Sequence, residues 1–159
     1  MTSEELAQQV AEQAMEQGLT VATAESLTSG QVAARLGAAP SASTWFRGAV
    51  VAYAPEVKFS VLGVPEGPVI TEECARTMVE SVARLLGADL AVALTGAGGP
   101  DEEEGEPPGT VWFAVLAHGR VHAERQRFDG DPPQVVEATT EHALRLLLEH
   151  ARVAGGAAA

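Results

Sequence analysis

The sequence predicts an α/β protein: a three-layer α/β/α sandwich with a mixed central sheet. Short apolar runs typical of buried strands alternate with amphipathic runs typical of helices, which predicts helices on both faces of a sheet. Two strand-like segments, 110–117 and 121–128, flank a short polar turn and predict a hairpin, so part of the sheet is antiparallel. The length of 159 residues fits one domain, which we expect over 1–152, with a disordered tail over 153–159.

The first half of the chain predicts a helix and then two strands, each followed by a helix. Thr2 or Ser3 with acids at the next two positions is an N-cap signal, and the first helix then runs to Gly18. The elements expected next are a strand over 19–24, a helix over 31–36, a strand over 49–53 and a helix from Pro55 to near Gly63.

The second half predicts a helix, a strand, the hairpin and a final helix. The expected boundaries are a helix from Thr71 to Gly87, a strand over 90–94, a loop from Thr95 to Gly109 and a helix capped by Asp131. Ligands in such sheets bind at the carboxyl ends of the strands. We therefore expect function in the loops 25–30, 53–58 and 95–109.

The charge of the chain limits its partners. A formal net charge of −12 without a basic cluster argues against nucleic acid, whose phosphates require clustered Lys and Arg. The same charge repels anionic small molecules, so a phosphate-bearing substrate needs a local cationic pocket. The acidic start lacks the basic and apolar regions of a secretion signal, and no apolar run has the length of a membrane span. We therefore expect a cytoplasmic protein without membrane partners.

Metal and cofactor chemistry find little support in the sequence. Cys74 is the only cysteine, which excludes an intrachain disulfide and a cysteine-based zinc site, and we expect it to be a small buried side chain. The acidic run 101–106 lacks the alternating spacing of a calcium loop and is expected to be a solvated surface segment. We expect neither a metal nor a cofactor.

The segment VVAYAPEVKF, residues 50–59, holds the only tyrosine, Tyr53, and the only lysine, Lys58. The other nine basic residues are arginines. An arginine stays protonated in a protein, whereas burial or a neighbouring cation can make a lysine amine neutral, so that it can act as a base. A compositional accident in an arginine-rich chain is the alternative explanation.

The loop AESLTSG, residues 24–30, carries three hydroxyls at the start of a predicted helix: Ser26, Thr28 and Ser29. The free amides of a helix N-terminus can hold an oxyanion or a phosphate. Capping alone would explain Thr28 or Ser29. Ser26 is less easily explained in this way, because it lies ahead of the first helical turn.

Ser26 with Lys58 as its base is the remaining candidate for an activated nucleophile. The chain has no G-x-S-x-G sequence and no serine three residues before a lysine. The histidines fall in the hairpin and the last helix, away from the serine loop, and the glycines after the third strand form neither a dinucleotide-binding nor a Walker sequence. Tyr53 could relay or orient the proton, whereas Glu25 and Glu56 would oppose deprotonation of the amine.

Four stretches that carry these residues follow one another along the chain. They are AESLTSG at 24–30, WFRGAVVAY at 45–53 with Lys58 and LGV at 62–64, TGAGGP at 95–100 and PGTVW at 108–112. In this order they resemble the C-terminal domain of the CinA (competence/damage-inducible protein) family and its stand-alone relatives, the nicotinamide mononucleotide deamidases. The resemblance covers nearly the whole chain.

The resemblance implies hydrolysis of nicotinamide mononucleotide to nicotinic acid mononucleotide and ammonia, as part of pyridine-nucleotide salvage and without a metal. Ser26, Tyr53 and Lys58 would form the catalytic group. The substrate-binding positions that it implies are Thr28, Ser29, Gly30, Thr95, Gly96 and Gly98. It also implies a homo-oligomer, in which the apolar hairpin could pair across a dimer.

Three positions depart from the family pattern. Ser29 stands where the family usually has glycine, Glu106 replaces a lysine, and GDPPQVV at 130–136 lacks an arginine. An acidic chain without these two cations is expected to hold a phosphate less well. Two alternatives therefore stay open: a weak or silent family member that serves as a nucleotide-binding or regulatory module, and an amidase for a smaller or uncharged amide.

Overall fold

A computed structural model describes the backbone of residues 1–158 and the side chains of residues 1–152. The tail expected over 153–159 lies outside the residues whose side chains are described. Within the described range the helices are α1 (Ser3–Gln17), α2 (Gln31–Gly37), α3 (Ala42–Trp45), α4 (Pro55–Leu62), α5 (Glu72–Leu86) and α6 (Pro132–Ala158). The strands are β1 (Val21–Glu25), β2 (Phe46–Val51), β3 (Leu90–Gly96), β4 (Thr110–Ala117) and β5 (Arg120–Arg127).

The strands form one mixed sheet in the order β2-β1-β3-β4-β5. β2, β1 and β3 are parallel, whereas β4 and β5 form the antiparallel hairpin beside β3. Helices α1, α2, α3 and α6 pack on one face, and α4 and α5 pack on the other. The predicted three-layer α/β/α sandwich is confirmed. None of the helices in the described range is long and apolar enough to cross a membrane.

Each face of the sheet has its own apolar core. Leu6, Phe113 and Leu144 are fully buried in the first, and Met78 and Val82 in the second. β1 and β3 are buried along almost their whole length, as expected of strands covered on both sides. These two strands therefore give the loops that follow them a rigid support.

The observed boundaries differ from the predicted ones mainly at β2 and α3. β2 begins at Phe46 and ends at Val51, so the expected strand over 49–53 was placed too late. As an edge strand it is half exposed, and its apolar residues are a poor guide to its ends. The single-turn helix α3 was not predicted, because four residues are too few to show a helical period.

The parallel direction of β1, β2 and β3 brings their carboxyl ends to one edge of the sheet. Ser26 follows β1, Tyr53 lies two residues beyond β2, and Ala97 follows β3. Gly96, the last residue of β3, has no space for a side chain, since a Cβ there would lie 2.5 Å from the carbonyl oxygen of Thr110. The loops predicted to carry function therefore meet at this edge.

Candidate active site

Lys58 and Ser26 are in contact at the carboxyl edge of the sheet. The Lys58 Nζ lies 3.0 Å from the Ser26 Oγ, and the two residues are 2% and 6% exposed. Lys58 stands in the first turn of α4, which begins at Pro55, and Ser26 is the first residue after β1. The predicted pairing of this serine with this lysine is therefore present in the structure.

The surroundings of the amine suit either protonation state. Besides Ser26, the Lys58 Nζ lies 2.9 Å from the carbonyl oxygen of Ala52 and 3.3 Å from that of Tyr53. An ammonium group can donate to all three oxygens. A neutral amine can donate to the two carbonyls and turn its lone pair to the serine hydroxyl. The same geometry therefore accommodates the amine before and after it takes the proton.

Burial is the main influence on the Lys58 amine and lowers its pKa from the ordinary lysine value. Cys74, Glu103, Glu104 and Glu56 act in the opposite direction through their negative charges. The effect of Cys74 requires a thiolate, but burial raises the pKa of that thiol to about 11. Cys74 is therefore neutral near pH 7, and the three glutamates are the anions that oppose the loss of the lysine proton.

Glu25 organises the loop that carries Ser26. Its side chain is completely buried, and its carboxylate accepts hydrogen bonds from five donors at the end of β1 and the start of α2. These donors are the Thr23 and Thr28 hydroxyls and the amides of Gly30, Val32 and Ala33, at 2.7 to 3.1 Å. The expectation of free amides at this helix N-terminus is wrong, because the carboxylate already occupies them.

The three hydroxyls of the Ser26 loop lie in different surroundings. The Thr28 side chain is fully buried on Glu25, and the Gly30 amide is bonded to the same carboxylate. Ser29 is exposed with a φ of 52°, in the left-handed region that costs a residue with a side chain about 1 kcal/mol. Neither these three residues nor Glu25 line the cavity around Ser26, so their expected contact with substrate stays a prediction.

Tyr53 lies at the rim of the site. Its backbone carbonyl accepts from Lys58, but its side chain is 67% exposed. In the part of the chain whose side chains are described, its hydroxyl forms no hydrogen bond with Ser26 or Lys58. The hydrogen bond expected of a proton relay is therefore absent. The exposed Tyr53 side chain can contact a ligand at the rim without moving.

A cavity of about 190 Å³ opens beside Ser26 and Lys58. It is smaller than the roughly 300–1,000 Å³ of pockets that enclose drug-sized ligands, so it accommodates one end of a larger molecule. Thr95, Gly96 and Gly98, which were predicted to bind substrate, line it. The Thr95 hydroxyl donates to the Val69 carbonyl at 2.8 Å. This bond holds the cavity-lining segment at Val69 against β3.

The acidic run contributes to the wall of the cavity, which the sequence analysis did not foresee. Glu103 lines the cavity. The Glu104 carboxylate accepts from the amides of Val69 at 2.9 Å and Ile70 at 2.8 Å. Residues 101–105 are exposed, as the sequence predicts, but the Glu104 carboxylate is bonded to backbone amides of a neighbouring segment.

One known protein family matches nearly the whole of this chain. The profile of the family described as the CinA C-terminal domain matches residues 3–151. The chain belongs to the CinA C-terminal domain family. Relatives described as competence-damage inducible proteins are 36% identical in Desulforamulus reducens and 39% identical in Geobacillus kaustophilus, over 90% and 87% of this chain. The CinA-type chain spans only 36% and 35% of the length of these two relatives.

Solved structures of the CinA superfamily share the fold. A protein from Klebsiella pneumoniae 700603 has a TM-score of 0.91 and 34% identity, covering 96% of this chain and 99% of the other. A competence/damage inducible protein from Agrobacterium tumefaciens has a TM-score of 0.87 and 30% identity, covering 92% of this chain and 94% of the other. The sandwich described above is therefore the CinA C-terminal fold.

Proposed function

We propose that this chain hydrolyses the carboxamide of a pyridine nucleotide, nicotinamide mononucleotide or a close relative, with Ser26 as nucleophile and Lys58 as its base. The observation that carries the proposal is the 3.0 Å contact between the lysine amine and the serine hydroxyl. Both groups are buried, and a cavity of suitable size for an aromatic carboxamide opens beside them. The resemblance to the nicotinamide mononucleotide deamidases supports the choice of substrate.

The proposed reaction begins when the Lys58 amine takes the proton of the Ser26 hydroxyl and the Oγ attacks the amide carbon. The resulting tetrahedral species collapses with cleavage of the C–N bond, and the lysine ammonium gives its proton to the departing nitrogen, which leaves as ammonia. Water then attacks the acyl-serine ester, with Lys58 again as the base. The products are the carboxylic acid and the free serine, so one water is consumed for each amide.

The developing oxyanion needs hydrogen-bond donors. Gly98 and Gly99 line the cavity, and within the described residues their amides have no backbone acceptor. Gly98 lies beside Leu27, the neighbour of Ser26, because a Cβ there would lie 3.8 Å from the Leu27 side chain. We assign the two glycine amides as donors to the oxyanion. The amides at the N-terminus of α2 cannot serve, because they are bonded to the Glu25 carboxylate.

The test is ammonia release from three amides: nicotinamide mononucleotide, nicotinamide riboside and nicotinamide. We expect release from at least one, and we expect Ser26→Ala to lower it by about 10³-fold or more, as loss of a nucleophile does. Ser60→Ala is the matched control, because Ser60 is an exposed serine on α4. Release that survives in the Ser26 variant would remove Ser26 from its role.

A second candidate is a binding module that keeps the cavity without turnover. The position of Tyr53 favours this candidate, because in the described structure its hydroxyl does not reach the Ser26–Lys58 pair and so cannot relay a proton there. Calorimetric titration with nicotinamide mononucleotide separates the two functions. Binding without any ammonia would favour the module, whereas ammonia release that depends on Ser26 would exclude it.

A further inference from the structure

One wall of the cavity comes from a segment without regular secondary structure. Val69 and Ile70 lie between α4 and α5 and line the cavity together with Ser26. They are 8% and 4% exposed. Because neither residue belongs to a helix or a strand, no regular ladder of backbone hydrogen bonds fixes the position of this wall, and other contacts hold it.

Within the described residues, the segment 65–70 forms hydrogen bonds only at its last two positions. The amide of Val69 donates to both oxygens of the Glu104 carboxylate, at 3.1 and 2.9 Å. The amide of Ile70 donates to one of these oxygens at 2.8 Å, and the carbonyl of Val69 accepts from the Thr95 hydroxyl. In this part of the chain, Glu104 is therefore the one acceptor of both amides.

Glu104 reaches this wall from the tip of a two-residue turn. The backbones of Glu103 and Glu106 bond to each other in both directions, at 3.2 and 2.8 Å. Glu104 and Gly105 between them have φ angles of 54° and 77°. Such turns favour asparagine, aspartate and glycine, so a glutamate at the first position is strained. A strained residue persists where its surroundings hold it, and the contacts that hold Glu104 are the two amides of the cavity wall.

We propose that Glu104 is a positioning residue that holds Val69 and Ile70 in place as the wall against which the ring of the carboxamide packs. This inference rests on the proposed function. Without the carboxylate the amides of two buried residues lose their acceptor, which is costly, so the wall moves to reach water or another acceptor. The displaced wall contacts the ring less in the bound substrate and in the transition state alike. Loss of Glu104 therefore raises KM and changes kcat little.

The test measures KM and kcat of ammonia release in the wild type, Glu104→Asp, Glu104→Gln and Glu102→Asp, with the amide that the wild type hydrolyses fastest. Glu104→Asp keeps the charge and suits the turn, but its side chain is one methylene shorter. We expect it to raise KM about five- to tenfold, the size of a lost hydrogen bond, and to change kcat by less than about threefold.

Two variants serve as controls for the length and the position of the carboxylate. Glu104→Gln keeps the length of the side chain and one acceptor oxygen, and we expect its KM to stay within about threefold of the wild type. Glu102 is an exposed neighbour in the same acidic run that does not line the cavity. Glu102→Asp should therefore change KM by less than about twofold.

A merely structural role of Glu104 gives a different kinetic pattern. Unfolded molecules lower the amount of active enzyme, so they reduce the apparent kcat and leave KM unchanged. An unchanged KM in Glu104→Asp, or an equal rise of KM in Glu102→Asp, would overturn the inference.

Failure of the proposed function is distinguishable, since the wild type would then release ammonia from none of the amides. Hydrogen exchange of the Val69 and Ile70 amides, which needs no substrate, decides in that case. Exchange of these two amides that is about five- to tenfold faster in Glu104→Asp than in the wild type and in Glu102→Asp supports the positioning role. Equal exchange rates in all three proteins would overturn it.

Discussion

At the scale of single residues, the contact between Ser26 and Lys58 depends on polar groups that are themselves buried and bonded. Glu25 fastens the Ser26 loop to the start of α2, and the carbonyls of Ala52 and Tyr53 orient the lysine amine. A charged group taken out of water is tolerated only when its hydrogen bonds are satisfied. The proposed pair is thus held in place before any substrate arrives.

Replacement of Glu25 tests how strongly the loop depends on this carboxylate. We expect Glu25→Ala to lower the free energy of unfolding by about 3 kcal/mol, because several buried donors lose their acceptor at once. The measurement is urea unfolding followed by circular dichroism. Glu12→Ala, at an exposed position of α1, should change the same free energy by less than about 0.5 kcal/mol. A Glu25 variant as stable as this control would contradict the assigned role.

At the scale of elements, β5 is tied to α6 through a half-buried carboxylate. The Glu124 side chain lies 2.7 Å from the Nε2 of His142 on α6 and 2.8 Å from that of His122 on β5. Burial acts to raise the Glu124 pKa, but the hydrogen bonds of His122, Gln126 and His142 outweigh it and lower the pKa to about 2. The ionised carboxylate therefore stabilises the folded state.

The pH dependence of Glu124→Gln follows from this lowered pKa. An unfolded glutamate has a pKa of about 4.3, so the stabilisation is complete above that pH and disappears as the pH falls through about 2. We expect the variant to be about 1 kcal/mol less stable than the wild type near pH 6. The difference should shrink on acidification in urea unfolding experiments. Glu80→Gln, an exposed control on α5, should show no such trend, and a constant difference for Glu124→Gln would contradict the assignment.

The elements themselves were largely predictable from sequence, because their signals are local. α1 and α5 begin after Thr2 and Thr71, whose hydroxyls accept from the backbone three residues on, and both end at a glycine with positive φ. The hairpin follows from two strand-like segments on either side of the turn at His118-Gly119. The edge strand β2 and the one-turn helix α3 were misplaced or missed, because neither has a complete apolar period.

The candidate site was predictable only in part, since its details depend on contacts between distant segments. Ser26 and Lys58 could be paired because each follows a parallel strand, and such strands end together. The bonds of Glu104 to Val69 and Ile70 join residues up to 35 positions apart, and no local pattern encodes them. The outward position of the Tyr53 side chain could not be predicted either, because residue spacing does not indicate it.

At the scale of the whole molecule, one sheet joins two apolar cores. Trp45 belongs to the core under α1 and α6, and Trp112 packs against the core under α5. These are the only two tryptophans of the chain. Because β1 and β3 contribute to both cores, loss of one core exposes the strands that support the other, and we expect the domain to unfold as one unit.

Single-tryptophan variants report on the two cores separately. In Trp45→Phe the fluorescence comes from Trp112, and in Trp112→Phe it comes from Trp45. We expect the fluorescence midpoint in urea to coincide with the circular dichroism midpoint in each variant, although the stabilities of the variants can differ. A fluorescence midpoint that precedes the circular dichroism midpoint in either one would mean that the cores unfold independently.

The central claim is that a neutral Lys58 amine removes the proton of Ser26. It is tested most directly by ammonia release from the wild type and from Lys58→Arg between about pH 6 and 10, because an arginine keeps the charge but cannot release its proton. Burial lowers the Lys58 pKa, so the wild-type kcat/KM should rise with pH and level off below the usual titration range of lysine, with the arginine variant at least about 10³-fold slower throughout. An arginine variant with the wild-type rate, or a wild-type rate that falls as the amine loses its proton, would contradict the account.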